Sequence, residues 1–164
     1  MSSISIRKVK SSDSRFLWEW ANDPLVRAAS FSTDSIPWED HEKWFDKKMN
    51  DPDCKIYIAE VDGNPIGQVR FDCDDIDIVV NVNLAPEQRG KGLGAEMMKL
   101  GIKMYFEETK GSSPLVREIN AFVKIDNEPS RKMFEKIGFK SLGVKRIKGS
   151  EVFHFIIKEK SQIS

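Results

Sequence analysis

The stretch RGKGLGA, residues 89–95, is the most informative part of this 164-residue chain. It follows a run of alternating apolar residues, 76–84, and precedes a segment with helical periodicity, residues 96–110. Glycine adopts positive φ easily and lets the backbone come close to a ligand. At the start of a helix, free N–H groups and the positive end of the helix dipole face an anion. The stretch therefore predicts a phosphate-binding turn between a strand and a helix.

The spacing of the glycines narrows the kind of phosphate site. Gly90, Gly92 and Gly94 recur at every second position, which fits neither the nucleoside-triphosphate P-loop nor the dinucleotide fingerprint. The stretch does match Arg/Gln-x-x-Gly-x-Gly/Ala and resembles the acetyl-CoA pyrophosphate loop of the GNAT (Gcn5-related N-acetyltransferase) superfamily. The alternative is a glycine-rich strand–helix connection that binds no ligand.

Length and charge limit the class of protein. A chain of 164 residues is most simply one domain, residues 1–164, which buries roughly 70% of its unfolded surface. The formal net charge is zero and no run of lysine and arginine exceeds two, which argues against a nucleic-acid partner. Residues 1–83 carry 10 basic and 16 acidic side chains, whereas residues 84–164 carry 16 and 10. A basic half around the glycine-rich stretch fits a polyanionic cofactor, although two solvated surfaces can also differ by chance.

The two cysteines, Cys54 and Cys73, form neither a disulfide framework nor a metal-spaced cluster. Both fall in or beside predicted strands, where a buried free thiol is expected. The chain opens without a signal peptide and has no apolar run near the roughly 20 residues of a spanning helix. We therefore expect a reduced cytoplasmic protein with no membrane partner and no metal.

Periodicity along the chain predicts an α/β (α+β) fold with the order β-α-α-β-β-β-α-β-α-β-β. The predicted helices cover residues 14–21, 38–49, 96–110 and 130–137, and the predicted strands cover residues 4–9, 55–61, 65–71, 76–84, 119–124, 140–148 and 152–158. The segment 25–31 is too short to assign. This order is also that of the GNAT fold, and the resemblance implies a seven-stranded, mostly antiparallel mixed sheet flanked by about four helices.

A second motif opens the predicted helix 130–137. The run NEPS, residues 127–130, is a typical helix start, and Asn127 is a common N-cap residue. Together with FEKIGF, residues 134–139, it resembles the GNAT pattern Asn-x-x-Ser/Ala…Tyr-Glu-Lys-x-Gly-Phe. Phe134 departs from this pattern, because many members have a tyrosine there whose hydroxyl protonates the departing thiolate. That role then falls to Ser130 or a water molecule, or the thiolate leaves unassisted.

The resemblance implies how acetyl-CoA, the cosubstrate, binds. Strand 76–84 is expected to splay from strand 119–124, with the pantetheine arm between them like an extra strand. Backbone from about Val82 to Leu84 would pair with the arm, and one N–H group would polarise the thioester carbonyl. Arg89 or Lys91 would add charge at the pyrophosphate, the alternative for each being a solvated cation. The implied cofactor-binding residues are Val82, Leu84, Arg89, Gly90, Lys91, Gly92, Leu93, Gly94, Asn127 and Ser130.

A polar row on strand 76–84 supplies candidates for proton transfer. Asp75, Asp77, Asn81 and Asn83 have the same parity, which is unusual in a strand that should be central. The candidate catalytic residues are Asp77, Asn83 and Ser130, with Asp77 as the base and Asp75 assigned to the exposed turn. Transfer through ordered water is the alternative to Asp77. Asn81 or Asn83 would position the acceptor.

The acceptor side is expected from the N-terminal helices. The runs WEWANDPLVR, residues 18–27, and IPWEDHEKWF, residues 36–45, are similar to bacterial nucleotide-amino-sugar N-acetyltransferases of pseudaminic-acid biosynthesis. Those acetylate the 4-amino group of a UDP-linked 4-amino-4,6-dideoxy sugar. An aromatic surface with cations suits a uracil, a sugar face and phosphates. The implied acceptor-binding residues are Arg27, Trp38, His41, Trp44 and Asn81. The alternative is an aromatic core, with His41 a surface histidine that is fully hydrogen-bonded.

These features predict an acetyl-CoA-dependent N-acetyltransferase in which a neutral amine attacks directly within a ternary complex, in a monomer or homodimer. One alternative is a protein N-terminal acetyltransferase of the ribosomal-protein type, which needs an open groove for a peptide. The other is a catalytically silent acyl-CoA-binding module, which the phenylalanine at position 134 leaves open.

Overall fold

The computed structural model describes residues 3–74, 77–110 and 118–158 of the chain. Within them, five α-helices flank one mixed, mostly antiparallel seven-stranded sheet, which confirms the predicted fold class and number of strands. The strands are β1 Ile4–Lys8, β2 Lys55–Val61, β3 Asn64–Asp74, β4 Asp77–Leu84, β5 Ile119–Lys124, β6 Lys140–Ile147 and β7 Ser150–Ile157. The helices are α1 Ser14–Ala21, α2 Pro24–Ala29, α3 Trp38–Met49, α4 Leu93–Thr109 and α5 Glu128–Ile137.

The helix that sequence periodicity did not assign is α2. Its first turn begins with Pro24, and the carboxylate of Asp23 accepts hydrogen bonds from the backbone N–H groups of Leu25 and Val26 at 3.1 and 3.4 Å. Six residues carry too little periodicity to predict a helix, although a capping aspartate followed by proline is a typical helix start. The number of helices is therefore five rather than about four.

The sheet has the strand order β1-β2-β3-β4-β5-β7-β6, and β4 with β5 is the parallel pair among the described strands. β3 pairs with the whole of β4, and β7 pairs with the whole of β5. Pairing between β4 and β5 is limited to two residue pairs, Ile78 with Ile119 and Val79 with Asn120. Beyond these pairs the two strands separate, as predicted, and their facing edges form a wedge-shaped opening, here called the β4–β5 wedge.

The two faces of the sheet bury separate cores. α4 and α5 cover one face through apolar side chains that include Met97, Met98, Ile102, Phe134 and Ile137. α1 and α3 cover the other face, with a core that includes Leu17, Trp20, Phe45, Ile56 and Ile58. Because side chains alternate along a strand, Ile78 and Val80 of β4 enter the first core. Asn81 and Asn83 consequently face the side of α1 and α3.

A buried polar contact closes the narrow end of the β4–β5 wedge. Asn120 Nδ2 donates to the carbonyl oxygen of Ile78 at 3.2 Å, and Asn120 Oδ1 accepts from Nε2 of His154 at 2.7 Å. The His154 ring stacks on Phe122 with 4.7 Å between centroids. Burial, and next the charge of Lys145, lower the pKa of His154. The imidazole is therefore neutral near pH 7 and holds the amide that links the two strands.

Within the described residues, no helix is both long and apolar enough to cross a membrane. Cys54 is buried, as predicted, whereas Cys73 is half-buried, and neither forms a disulfide. Burial, together with the nearby carboxylate of Asp72, raises the pKa of the Cys54 thiol to about 12. Cys54 is therefore a packing residue and not a nucleophile, because the thiolate is the reactive form.

Candidate functional site

The open edge of β4 presents main-chain groups to the β4–β5 wedge. At the end of this strand, the N–H of Ala85 donates to Ile66 O of the β3 side at 2.7 Å. At its start, the carbonyl of Ile78 faces β5, where it accepts from Asn120. In a strand, successive residues direct their N–H and C=O groups to opposite neighbours, and the register with β3 is continuous from residue 77 to 84. The main-chain groups of Val82 and Leu84 therefore point into the wedge.

The glycine-rich turn places unused donors next to this edge. Gly90 and Gly92 have φ of +77° and +74°, the left-handed conformation that favours glycine, and Gly92 is the N-cap of α4 without a side-chain cap. The N–H groups of residues 90–95 donate no hydrogen bond to any group that the structure describes. Free amides at a helix start are suited to a diphosphate. The residues present thus fit the cofactor that the sequence predicts.

The two cations of the turn have different surroundings. Lys91 is exposed, with its Nζ 3.4 Å from Gln88 Oε1, and can place its charge beside the free amides. The guanidinium of Arg89 instead forms an ion pair with Asp23 at 2.9 Å and donates to Leu84 O at 3.3 Å. Arg89 was predicted to contact the pyrophosphate, but its charge is balanced by the aspartate that caps α2. It links the glycine turn to α2.

Two further residues predicted for the cofactor lie where helices pack. Gly94 has an ordinary helical conformation, and a Cβ added there would lie 3.4 Å from Met133 Sδ of α5. This distance is an ordinary van der Waals contact, so position 94 lies against α5 and, in contrast to Gly92, has no conformational need for glycine. Leu93 packs its side chain against the first core, so only its backbone N–H is directed to the turn's ligand side.

Asn127 caps the N-terminus of α5, as predicted. Asn127 Oδ1 accepts from the backbone N–H of Ser130 at 3.4 Å, and both residues are partly exposed. Phe134 is 3% exposed, stacks on Phe155 and meets Phe139 edge to face. Its ring belongs to the core and carries no proton to give. Proton donation to a departing thiolate from this helix would thus have to come from the Ser130 hydroxyl.

On the opposite face of the sheet, beside the wedge, lies a cavity of about 350 Å³. Its lining residues are Leu17, Ala21, Val26, Arg27, Ser30, Ile36, Asp40, His41, Trp44, Gln68, Arg70, Asn81 and Asn83. Its size lies at the lower end of ordinary ligand pockets, roughly 300 to 1,000 Å³. Four of the five predicted acceptor-binding residues line it, and the fifth, Trp38, does not. Trp38 stacks on His41 and meets Trp18 edge to face. It therefore contacts a lining residue, His41, without lining the cavity itself.

Arg27 lines the cavity, but four of its five N–H donors bond within the protein. Its guanidinium donates to the backbone carbonyls of Ala21, Ser32 and Asp34 at 2.7, 3.0 and 3.1 Å, and to Ser30 Oγ at 3.1 Å. These bonds give Arg27 a structural role, because they hold the segment between α2 and α3, and its predicted contact with the acceptor stays a prediction. Burial lowers the pKa of Arg27, which nevertheless stays charged at any relevant pH.

We expect Arg27→Ala to raise the acceptor KM and leave the acetyl-CoA KM unchanged. Loss of the guanidinium leaves three backbone carbonyls without their partner, so the segment that carries Ile36 into the cavity loses its fixed position. Thermal unfolding would reveal a fall in Tm, since each such bond stabilises by about 1.5–3 kcal/mol at most. A raised acetyl-CoA KM with normal acceptor kinetics would contradict this assignment.

His41 is a buried, neutral side chain. It is 3% exposed, its Nε2 donates to the carbonyl oxygen of Ser14 at 2.9 Å, and its ring stacks on Phe45. Burial lowers the pKa of His41, against smaller opposing effects of the Ser14 bond and of Glu42. The histidine is hydrogen-bonded inside the protein and not at its surface, and it contributes an aromatic wall rather than a charge.

Arg70 and Asp72 of β3 form an ion-pair cluster at one end of the cavity. Asp72 contacts Arg70 Nε and Lys48 Nζ, both at 2.8 Å, and accepts from Asn81 Nδ2 at 3.4 Å. Burial raises the pKa of Asp72, but the two cations lower it more, so it lies below the ordinary value. The Arg70 guanidinium also lies 4.9 Å from the Trp44 ring centroid. The ion pairs of Asp72 therefore hold Arg70 against Trp44, and these two side chains form one cationic and one aromatic part of the cavity wall.

Asp77, the predicted base, lies far from the open part of the wedge. It is exposed at the start of β4, opposite Asp74, before the paired residues Ile78 and Val79. At about 3.3 Å per residue, it is about 13 Å along the strand from Asn81. This separation is too large for direct proton transfer to the cavity. Asp75 lies outside the described residues.

Eight of the thirteen cavity residues were absent from the predicted site, and three of these carry a charge or a side-chain amide, namely Asp40, Gln68 and Arg70. Gln68 and Arg70 share the parity of Asp72 on the strand before the Asn81 and Asn83 row. In a β-hairpin, two such rows of polar side chains lie side by side on one face of the sheet. The alternation of polar residues on β3 could therefore have predicted that Gln68 and Arg70 belong to the site. Asp40 is four residues before Trp44 on α3 and therefore on the same face of that helix.

Comparisons with known proteins bear on this geometry. A family model described as an acetyltransferase (GNAT) domain matches residues 3–140. Over 104 residues, 62% of this chain, it is 28% identical to the SPbeta prophage-derived uncharacterized N-acetyltransferase YokL of Bacillus subtilis, and it spans 56% of that relative. Over 123 residues, 74% of each chain, it is 23% identical to a Bacillus subtilis protein named for ribosomal protein bS18-alanine N-acetyltransferase activity.

Solved structures match the fold more completely. The spermidine N-acetyltransferase from Vibrio cholerae, in complex with CoA and spermine, superposes with a TM-score of 0.83 at 20% identity. The superposition covers 97% of this chain and 96% of that one. At this identity the likeness concerns the fold. The chain spans about half the length of the first curated relative.

Proposed function

Because this chain belongs to the GNAT acetyltransferase domain family, we propose that it transfers the acetyl group of acetyl-CoA to a primary amine held in the cavity. The favoured acceptor is the 4-amino group of a UDP-linked 4-amino-4,6-dideoxy sugar. The observation that carries the proposal is the adjacency of free main-chain donors, an open strand edge and a polar cavity. The N–H groups of residues 90–95 follow the end of β4 after one short 3-10 turn, Pro86–Gln88, and Asn81 and Asn83 of β4 line the cavity.

The residues divide the work between binding and orientation. Acetyl-CoA supplies the acetyl group as a thioester: the amine nitrogen bonds to the acetyl carbonyl carbon, the carbon–sulfur bond breaks, and coenzyme A leaves as the thiol while the amine loses a proton. The amides of residues 90–95, with Lys91, hold the diphosphate. Val82 and Leu84 offer main-chain donors to the pantetheine arm and to the thioester oxygen. Asn127 and Ser130, at the start of α5, line the same side.

Deprotonation of the amine is the remaining task. Asp77 is too distant, and His41 donates its Nε2–H to Ser14. Asp40 is the carboxylate among the lining residues, and it is exposed, so it can accept a proton from the amine through water. Asn83 positions the acceptor and carries no proton in this scheme.

The cavity lining supports a sugar over a polyamine. One carboxylate and two arginines line it, together with three side-chain amides and Trp44. A polycation such as spermine is best matched by several carboxylates, since charge complementarity decides between charged partners. Side-chain amides instead bond the hydroxyl and N-acyl groups of a sugar, and a tryptophan packs on its apolar face.

A cationic rim beside α2 supports a nucleotide diphosphate. Lys124 Nζ donates to Ala28 O at 3.0 Å, and Lys148 Nζ lies 5.6 Å from the ring centroid of Phe31. Phe31 is 37% exposed, an unusual position for a large aromatic side chain. An exposed ring next to one lysine, with a second lysine at the end of α2, suits a uracil ring and phosphates. The sugar thus occupies the cavity while the nucleotide extends over this rim.

The relative named for ribosomal-protein acetylation favours a second acceptor, a protein N-terminus. A peptide requires a groove open at both ends, whereas here residues of α2 and Ile36, in the segment fixed by Arg27, wall one side of the cavity. The silent module is the third possibility, and it predicts coenzyme A binding without turnover.

Turnover on three acceptors tests the proposal. We expect the full chain to bind acetyl-CoA by calorimetry. Among a UDP-4-amino-4,6-dideoxy sugar, spermidine and a peptide with an N-terminal alanine, kcat/KM should be highest for the nucleotide sugar. Preference for the peptide would support the protein acceptor, and binding without turnover on all three would support a silent module. The variant Lys148→Glu should lower kcat/KM for the nucleotide sugar and leave that for spermidine unaffected.

A further inference from the structure

Gln68 has a buried hydrogen-bond acceptor that none of the described residues uses. The side chain is 3% exposed and lines the cavity. Its Oε1 has no hydrogen-bond partner among the described residues. Nearly all buried side-chain polar atoms in proteins are hydrogen-bonded. An unsatisfied amide oxygen at the wall of a ligand cavity therefore points to a donor that arrives with the ligand.

The neighbours of Gln68 explain why its oxygen is left over. On the same strand and face, Arg70 donates from Nε to Asp72, and across the strand pair Asn81 donates to the same carboxylate. Two polar rows, Gln68–Arg70–Asp72 on β3 and Asn81–Asn83 on β4, lie side by side, and at one end of them Asp72 accepts the hydrogen bonds of Arg70 and Asn81. Gln68 lies at the other end, directly opposite Asn83 in the β3–β4 register.

The register also fixes how far Gln68 lies from the reacting atoms. Neighbouring strands are about 4.8 Å apart, so an arm that pairs with β4 on its other side lies about 10 Å from the backbone of β3. A reacting amine must come within about 3–3.5 Å of the thioester carbon. Gln68 is therefore placed to contact a group next to the amine and not the attacking nitrogen.

We propose that Gln68 Oε1 accepts a hydrogen bond from the hydroxyl on the sugar carbon adjacent to the carbon that bears the reacting amine. This assignment rests on the proposed function, since it requires a sugar in the cavity. The bond satisfies the buried oxygen only in the complex, and it orients the ring so that the amine faces the wedge. It makes Gln68 a residue that selects amines with a neighbouring hydroxyl.

The structure also predicts how Gln68 affects stability. Removing a buried polar atom that has no partner in the free protein sacrifices no hydrogen bond. Replacement by methionine, which is similar in length and shape, should therefore leave Tm unchanged or raise it. A residue with a purely structural role would instead lower Tm when replaced.

The test combines two proteins with two substrates. Wild type and Gln68→Met are assayed with the UDP-4-amino-4,6-dideoxy sugar and with its analogue that lacks the adjacent hydroxyl. We expect the wild type to lose about 10- to 100-fold in kcat/KM on the deoxy analogue, the range expected when a buried acceptor is left unpaired. For Gln68→Met, we expect kcat/KM on the hydroxylated substrate to fall by the same factor, and kcat/KM on the deoxy analogue to equal that of the wild type on the analogue. Gln68→Glu, which keeps an oxygen at this position, should restore part of the discrimination.

Each outcome separates this assignment from the proposed function. Equal discrimination by wild type and Gln68→Met overturns the role of Gln68 while acetyl transfer to the sugar stands. A wild type that does not distinguish the two substrates overturns it without any variant, so a misfolded variant does not prevent the test. If the wild type binds acetyl-CoA but acetylates neither sugar, both the proposed acceptor and the role of Gln68 are wrong.

Discussion

Gly92→Val should raise the acetyl-CoA Kd by on the order of 100-fold or more while the domain stays folded. Gly92 has φ of +74°, and a β-branched residue strongly disfavours that conformation. A Cβ built there meets no atom within 4 Å, so the effect does not arise from a clash. The loop instead changes its backbone angles and turns the amides at the start of α4 away. Each lost bond to a charged group is worth about 1.5–3 kcal/mol, and two suffice for the expected change.

A matched control exists in the same chain. Gly63, in the β2–β3 turn, has φ of +78° and equally open surroundings. Gly63→Val therefore introduces similar strain outside the glycine turn, in a residue that is not part of the start of α4. We expect a comparable fall in Tm for both variants by calorimetry and normal acetyl-CoA affinity for Gly63→Val alone. Unchanged affinity in a folded Gly92→Val protein would show that the diphosphate does not bind these amides.

Much of the fold could be predicted from the sequence because its elements are long and periodic. α1, α3, β2 and β5 have the predicted bounds. What periodicity could not give is α2, a helix of six residues defined by the cap at Asp23. The wedge was expected only from the resemblance, because the separation of two strands depends on how the whole sheet twists. No local pattern in residues 119–124 specifies it.

The site was less predictable for a related reason. Side-chain chemistry at Arg27, Arg89 and His41 suggested ligand contacts, yet each of the three satisfies a backbone carbonyl or a carboxylate within the protein. A sequence shows that a cation is present but not whether its charge is already balanced. Main-chain donors are hard to predict for a different reason. Every residue except proline has the same backbone N–H group, so the sequence does not show which of these groups bind a ligand. The glycines at 90 and 92 are the exception, because the exposed amides require them.

The second large effect is expected from a main-chain donor. Val82→Pro should lower kcat by about 10²- to 10³-fold, the usual cost of losing one preorganised donor to the reacting carbonyl. Proline removes the N–H of residue 82 and leaves its carbonyl and an apolar side chain. Since that N–H points into the β4–β5 wedge, its loss takes no bond from the ladder between β3 and β4. Proline is tolerated in a strand where the N–H faces away from its partner.

The alternation along β4 supplies the control for this substitution. The N–H of Asn81 points toward β3, so Asn81→Pro should break the ladder and lower Tm strongly, which circular dichroism would detect. Val82→Ala keeps the N–H and should retain most activity. If Val82→Pro is folded and fully active, the thioester oxygen is bonded elsewhere, and Leu84, the next residue with the same orientation, becomes the donor to replace. A strong loss of stability in Val82→Pro but not in Asn81→Pro would reverse the orientation assigned here to every main-chain group of the open edge.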